Sequence, residues 1–330
     1  MLFYHVRVTQ NLELTFGFAD PLSKFGILGV DVFFVLSGFI LSVVYGEMFS
    51  EGVTRKSLRA YSVARFSRIY PLHFVMLFIM LGAYAVALRA GVTPNETSGY
   101  SLEGLILSLL LVQEWFVVVS PNPGSWSISV EFANYLVFPL LIACVARLPR
   151  YWPPLAIVGS AIVVQVFADI RTIRGMAEFV MGCAAYAASR QYNSGPASAL
   201  AGIAFVIPFF ASAAIGNEVS GLAAICFTAT VFFLASPNAY DPFARLCAAR
   251  ALVFTGVISY SLYLIQWFVW IGWKHIIARV PIFSNHLYLM AACAAASVIS
   301  CAVGSYYLFE RPTRSWLRHY LGMTRPAAIG

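Results

Sequence analysis

The chain has 330 residues, of which 60% are hydrophobic and 11% are charged, and its net charge at pH 7 is +7. Soluble domains typically carry about 25% charged residues, so this composition argues against a large soluble enzyme. The basic residues lie in short connectors between long apolar runs, which indicates membrane topology and not affinity for nucleic acid.

The N-terminal stretch "MLFYHVRV" is apolar but far shorter than the about 20 residues that cross a bilayer. We interpret it as the end of a helix whose first half is absent from this chain. Further apolar runs predict helices at 26–45, 70–90, 126–147, 151–168, 173–188, 198–214, 220–236, 251–273 and 286–309. With the stub at 1–8, the pattern predicts an all-α, polytopic integral membrane bundle of about ten transmembrane helices. No linker or internal repeat is visible, so we expect one membrane-embedded domain over 1–330.

One more apolar segment, 102–119, is interrupted by Gln113 and Glu114 and is followed by "SPNPGS". If it does not cross the bilayer, fourteen of the 21 basic residues fall on the cytoplasmic side. If it crosses, every later connector changes side and the cytoplasmic count falls to nine. We therefore expect a re-entrant or interfacial helix on the outer side, with both termini cytoplasmic and the protein in a bacterial inner membrane.

Three ionisable residues are predicted to share one layer in the outer half of the bilayer. Asp31 lies roughly 7 Å below the outer end of its span, and Glu131 lies at nearly the same depth on another inward-running helix. His5 is a few residues from the outer end of the first segment. Intramembrane ionisable groups often face a wet cavity, and carboxylates beside a histidine raise its basicity, as a general base requires. Alternatively, Asp31 and Glu131 satisfy helix ends or neighbouring hydroxyl groups.

A pair of arginines, Arg65 and Arg68, lies in "RFSRIYPL" just before the predicted span at 70–90, with Pro71 expected at the start of that helix. Residues three apart share one face of a helix, so two guanidinium groups can hold a diphosphate or a ribose phosphate. Alternatively, the pair binds anionic lipid headgroups, as basic residues at cytoplasmic span ends commonly do.

The six cysteines show no metal-ligand spacing, and most lie in apolar runs where cysteine acts as a small hydrophobe. The sequence therefore predicts neither a disulfide framework nor a metal site.

Six stretches, in order along the chain, resemble motifs of the acyltransferase 3 family of membrane proteins. They are "LFYHVRV", "GVDVFFVLSGFIL", "RFSRIYPL", "SWSISVEFANYLVFPLL", "ISYSLYLIQW" and "FERPTR". The resemblance implies transfer of an acyl group, most simply acetyl from acetyl-CoA, to a hydroxyl of a saccharide or glycoconjugate such as exopolysaccharide or lipopolysaccharide. The family usually has an arginine before the first histidine, which this chain lacks, and commonly a histidine where this chain has Gln266.

Carried over by residue, the resemblance implies that His5 is the catalytic histidine and that Arg65 and Arg68 bind acyl-CoA. It also assigns Asp31 and Glu131 to the same catalytic pocket. Three residues of the later motifs are candidates for binding the acceptor or the oxyanion: Trp126, Ser127 and Ser129. Two others, Tyr260 and Tyr263, are candidates for lining the cavity.

Two other functions remain open from sequence. A proton-coupled transporter or flippase of glycolipid or polysaccharide would also place His, Asp and Glu within the membrane, although the two halves show no matching Gly- or Pro-broken helices. A non-catalytic descendant of the family is the other alternative. The acceptor, the acyl group, the oligomeric state and the choice between direct transfer and an acyl-histidine intermediate stay undetermined.

Overall fold

A computed structural model of the chain describes residues 4, 20–91, 97–192, 198–216, 220–235, 242–277, 279–280, 282–283 and 286–321. These residues form helices joined by short turns, and within them no strand occurs, as the sequence predicts.

The helices, numbered in chain order, are α1 Asp20–Lys24, α2 Gly29–Ser50, α3 Arg55–Arg89, α4 Leu102–Leu109, α5 Trp126–Val145, α6 Trp152–Val166, α7 Arg171–Gln191, α8 Ser198–Ile215, α9 Ser220–Leu234, α10 Pro242–Cys247, α11 Arg250–Ile277, α12 Leu287–Ser305 and α13 Arg311–Tyr320. A π-helical turn, Tyr306–Glu310, joins α12 to α13.

Each of the nine apolar runs after the N-terminal stub corresponds to one of these helices. Five helical segments are long and apolar enough to cross a membrane: Gly26–Ser50, Arg55–Arg89, Pro123–Val145, Arg250–Ile277 and Leu287–Tyr320. The apolar helices Trp152–Val166, Leu200–Ile215 and Ser220–Leu234 are shorter. The described residues thus give five spans by length and composition, and the expected total of about ten is not established.

The third helix is longer than its apolar run predicts. It begins at Arg55, because Thr54 Oγ1 accepts a hydrogen bond from Ser57 N (3.1 Å) while Ser57 Oγ accepts one from Thr54 N (3.0 Å). This reciprocal cap is a strong helix start. Pro71 therefore lies inside α3 and not at its start, and Arg65 and Arg68 lie on one continuous helix.

The segment 102–119 does not form a long helix. Its helix α4 has 8 residues and is followed by a short 3₁₀ turn, Gln113–Phe116, so it is too short to cross a bilayer. His73 Nε2, on α3, donates a hydrogen bond to Ser108 O (2.8 Å) and so ties α4 to α3. Leu102, Leu110 and Val117 are 75%, 59% and 84% exposed, as expected for a segment that meets lipid.

The chain divides into two compact units, residues 1–52 with 136–256 and residues 53–135 with 257–330. In the first unit, α2 and α7 run in the same direction and touch through their backbones. A Cβ atom on Gly38 would lie 2.0 Å from Phe179 O, and one on Gly182 would lie 1.9 Å from Val35 O. Apolar residues of α6 and α9 pack against α7 and complete this core.

In the second unit, α3 is linked to the first half of α5 and to α11. Tyr61 Oη donates to Tyr135 O (3.1 Å), and Tyr260 Oη donates to Ile69 O. The loop before α5 is held on α11 by Asn122 Nδ2, which donates to Leu264 O (3.0 Å). These bonds position the polar side chains of the candidate site.

Many large apolar side chains remain exposed on the helices, such as Leu140 (63%), Leu155 (64%) and Val158 (59%). A soluble monomer rarely exposes so many large apolar side chains along helices that are long enough to span a bilayer, whereas lipid chains cover them favourably. The protein is therefore an integral membrane protein.

Candidate active site

The predicted layer of three ionisable residues falls on different parts of the structure. His5 lies outside the described residues. Asp31 belongs to the first unit and Glu131 to the second. The predicted sharing of one chamber by these residues stays a prediction.

In the first unit, the buried Asp31 faces a cation from α7. Arg174 Nη2 lies 3.2 Å from Asp31 Oδ1, and Arg174 Nε lies 3.9 Å from Glu178 Oε1. The two acidic side chains are fully buried and Arg174 is 7% exposed. One guanidinium group therefore serves two carboxyl groups, which compensates the cost of burying Asp31 among apolar residues.

In the second unit, Glu131 lies one helical turn from Tyr135, whose hydroxyl donates to Glu131 Oε1. The guanidinium carbon of Arg65 lies 5.7 Å from the centre of the Tyr135 ring, within the range of a cation–π interaction. Arg68 also interacts electrostatically with the Tyr135 and Tyr260 hydroxyls. The arginine pair and Glu131 thus belong to one polar network, although the sequence assigned them to opposite halves of the bilayer.

The network also includes a hydrogen bond from α11 to the π-helical turn. Ser261 Oγ donates to Glu310 Oε2 (2.7 Å), and both residues are buried. Glu310 is the last residue of the π-helical turn. Such a turn adds a residue to the helical repeat and often occurs at functional sites, where it redirects a side chain.

Four of the five predicted acceptor-binding residues have described hydrogen bonds. Ser127 Oγ donates to Tyr263 Oη (3.0 Å), so the structure brings these two candidates together. Ser129 Oγ accepts from Glu114 N (3.3 Å), and Ser129 O accepts from Trp115 Nε1 (3.1 Å). Tyr260 bonds to the backbone of α3, as described above. The last candidate, Trp126, begins α5. The two bonds of Ser129 hold residues 114 and 115 against α5.

Gln266, on α11, is a further buried polar side chain. It is fully buried, and neither its amide nitrogen nor its amide oxygen has a hydrogen-bond partner in the part of the chain that the structure describes. An unbonded buried amide is costly, so this position is a candidate for binding a ligand.

Across the described ranges, no group of three or more His, Cys, Asp or Glu residues could hold a metal ion.

Several polar residues of these clusters were not selected from sequence. Arg174 and Glu178 are charges four apart inside a predicted span, and that intramembrane position was a usable signal. Tyr135 and Glu310 lie within quoted motifs, but nothing in their spacing distinguishes them from packing residues.

Comparison with known proteins identifies the family to which the chain is similar. The acyltransferase 3 family model, described as an acyltransferase domain, matches residues 1–305. No solved structure matches the chain.

Three named relatives are similar to parts of the chain. The acyltransferase MdmB of Streptomyces mycarofaciens is 34% identical over 44% of this chain and 36% of its own length. The protein named "Protein 2 in picA locus" of Rhizobium radiobacter is 40% identical over 40% of this chain and 65% of its own. The peptidoglycan O-acetyltransferase OatA of Listeria monocytogenes is 26% identical over 36% of this chain and 20% of its own. The chain thus spans less than two thirds of each of these relatives.

Proposed function

Because the chain belongs to the acyltransferase 3 family, we propose that it transfers an acyl group from acyl-CoA to a hydroxyl of a saccharide or glycoconjugate. The observation that carries the proposal is the polar network of the second unit, which joins Arg65 and Arg68 through Tyr135 to Glu131. The simplest acyl group is acetyl. The name of OatA, a peptidoglycan O-acetyltransferase, supports a saccharide acceptor.

The donor binds at the arginine pair. Coenzyme A carries a diphosphate and a ribose phosphate, and guanidinium groups hold phosphate oxygens with paired, charge-assisted hydrogen bonds. Arg65 and Arg68 share one face of α3, and the Arg65 guanidinium lies beside the Tyr135 ring. Phosphates bound there leave the long pantetheine arm free to extend along the helices toward Glu131.

The chemical step is attack of the acceptor hydroxyl on the thioester carbonyl carbon. His5 accepts the hydroxyl proton as the new C–O bond forms, and Asp31 or Glu131 stabilises the resulting imidazolium. The C–S bond then breaks, and the leaving coenzyme A sulfur accepts that proton from His5, so the products are the ester and free coenzyme A. An acyl-histidine intermediate is the alternative order of events.

The acceptor is bound by residues of the later motifs. The hydroxyl groups of Ser127 and Tyr263 are already bonded to each other, and Trp126 begins the same helix as Ser127. An aromatic ring beside hydroxyl groups suits a sugar, which has apolar ring faces and polar edges. In this proposal the protein lies in a bacterial inner membrane with both termini in the cytoplasm, where acyl-CoA is made.

The proposal is tested by acyl transfer in a purified system. The chain in lipid nanodiscs is given radiolabelled acetyl-CoA and a panel of saccharides, and labelled ester that hydroxylamine releases is measured. We expect formation of the ester to depend on the donor and to fall at least about 100-fold in His5→Ala, because a general base contributes on that scale. His275→Ala, which alters an exposed histidine on α11, is the matched control.

Two results would contradict the proposal. Normal transfer by His5→Ala would remove the catalytic role of that residue. Movement of unmodified saccharide across the bilayer, without any requirement for acyl-CoA, would favour a transporter.

A further inference from the structure

The terminal helix α13 carries a second pair of arginines, Arg314 and Arg318, which the proposed reaction does not use. They are four residues apart and so lie on one face of the helix. Like charges at this spacing repel each other, so an isolated helix gains nothing from the pair. The stability of α13 alone therefore does not explain the pair.

The structure packs this helix beside the first arginine pair. In the second unit, α13 lies against α3, and Arg59 Nη2 donates a hydrogen bond to Leu321 O (3.1 Å). Measured along the axis of α3, Arg65 and Arg68 lie about 9 and 14 Å beyond Arg59. Measured from Leu321 toward the start of α13, Arg318 and Arg314 lie about 5 and 11 Å along the helix axis. The two pairs are therefore brought to the same region.

The guanidinium groups are close enough to act on one another. Arg314 interacts electrostatically with Arg68, Arg318 and Arg65, and with one carboxylate, Glu310. That carboxylate also accepts the hydrogen bond from Ser261. Three of these four partners of Arg314 are cations, so the surroundings of Arg314 are predominantly positive, and a bound polyanion relieves that repulsion.

Arg314 also has an unused donor. Its Nε atom is buried and has no hydrogen-bond partner among the residues that the structure describes. A buried N–H group without an acceptor is costly, and a phosphate oxygen is a strong acceptor for a guanidinium N–H.

We propose that Arg314 and Arg318 form, together with Arg65 and Arg68, one binding site for the phosphate groups of the acyl donor. The inference rests on the proposed function, because it takes acyl-CoA as the ligand. Coenzyme A carries three phosphate groups. A single pair of arginines can hold only two of them if each arginine forms two hydrogen bonds to one phosphate. The second pair, on another helix, gives the site the charge and breadth that this ligand requires.

The test is equilibrium binding of coenzyme A to the chain in nanodiscs of phosphatidylcholine, which has no net charge. Variants Arg314→Gln and Arg318→Gln are each expected to raise the Kd about tenfold or more, since each removes a charge-assisted hydrogen bond. Arg65→Gln is expected to do the same. Arg311→Gln changes an exposed arginine of the same helix that is not among the electrostatic partners of Arg314, and it should bind like the unmodified chain.

A variant that fails to fold would be recognised by its thermal transition, and Arg314→Lys then takes its place. Lysine keeps the charge but cannot form two parallel hydrogen bonds, so we expect a smaller increase in Kd.

The outcomes separate this inference from the function on which it rests. If Arg65→Gln weakens binding while Arg314→Gln and Arg318→Gln do not, the inference is overturned and the donor site at Arg65 stands. If the unmodified chain does not bind coenzyme A, the proposed function fails with it. If the two variants change only binding of phosphatidylglycerol vesicles, the second pair binds lipid headgroups and the inference is overturned.

Discussion

Asp31 is fully buried, and its negative charge lies 3.2 Å from the guanidinium group of Arg174. The same guanidinium reaches Glu178 at 3.9 Å. Removal of either acid therefore leaves Arg174 with one carboxyl group, whereas removal of the arginine leaves two buried acids without their shared cation. The three residues are not equivalent in their contribution to stability.

Arg174→Gln should consequently destabilise the protein more than Asp31→Asn or Glu178→Gln. Breaking a buried ion pair by removing one partner costs about 3–5 kcal/mol. We expect a loss of that order for Arg174→Gln and a smaller loss for each acid variant, measured as the thermal transition in detergent. Equal losses in all three variants would show that the cation is not shared.

Gln266 offers a second prediction at the level of single residues. Its amide group has no partner among the described residues, so replacement by leucine removes a desolvation cost without breaking a hydrogen bond. We expect Gln266→Leu to retain or raise thermal stability and to lower acyl transfer about tenfold or more, because the lost amide would have bonded the ligand.

Gln113 is the matched control for Gln266. It is equally buried, but its Nε2 donates to Ser125 O (3.1 Å). Gln113→Leu should therefore cost about 1–3 kcal/mol of stability. A similar loss of stability in Gln266→Leu would show that the Gln266 amide is bonded within the folded protein. Gln266 would then no longer be a candidate for binding a ligand.

At the scale of elements, the crossing of α2 and α7 depends on two glycines. Gly38 and Gly182 let the backbones of these helices touch, with Asp31 and Arg174 about two turns before the crossing on the two helices. The parallel direction of the helices then brings these side chains face to face. The backbone contact between α2 and α7 and the ion pair between Asp31 and Arg174 therefore depend on the same helix packing.

We predict that Gly38→Ala and Gly182→Ala each destabilise the first unit by about 1–3 kcal/mol or more, since a methyl group would overlap the opposite backbone. Gly46→Ala, on the same helix α2, has its nearest neighbour at 3.6 Å and should be neutral or slightly stabilising. Comparison of the thermal transitions checks this. A stable Gly38→Ala variant would show that the helices are not in backbone contact.

The positions of the helices could be predicted from sequence because long apolar runs mark them directly. The start of α3 could not, since hydropathy marks the part of a helix that lies in lipid, whereas the helix itself begins at the Thr54 cap. The failure of 102–119 to form a crossing helix could also be predicted, from the charge balance of all later connectors.

Pairing between helices was the part that sequence could not supply. Asp31 and Glu131 were selected because they are ionisable residues in apolar runs. The partner of Asp31, Arg174, follows from how α2 and α7 are packed, and one sequence contains no signal for that packing. For the same reason, the sequence does not predict that Arg314 interacts with Arg68 in the fold. Tyr135 lies four residues from Glu131 on the same helix, but that spacing alone does not distinguish it from a packing residue.

At the scale of the whole molecule, the charge distribution and the proposed chemistry agree. The excess of arginine that the sequence predicts for the cytoplasmic side includes the residues proposed to bind acyl-CoA, which is a cytoplasmic metabolite. A protein of this family in the opposite orientation would present Arg65 and Arg68 to a compartment that lacks the donor.

The most direct test of the account is the rate of acyl transfer as a function of acyl-CoA concentration. It compares the unmodified chain, the double variant Arg65→Gln with Arg68→Gln, and Arg89→Gln, which alters an exposed arginine at the other end of α3. We predict that the double variant raises the KM for acyl-CoA about tenfold or more and leaves the KM for the acceptor unchanged. An unchanged KM for acyl-CoA, or product formed without any acyl donor, would contradict the account.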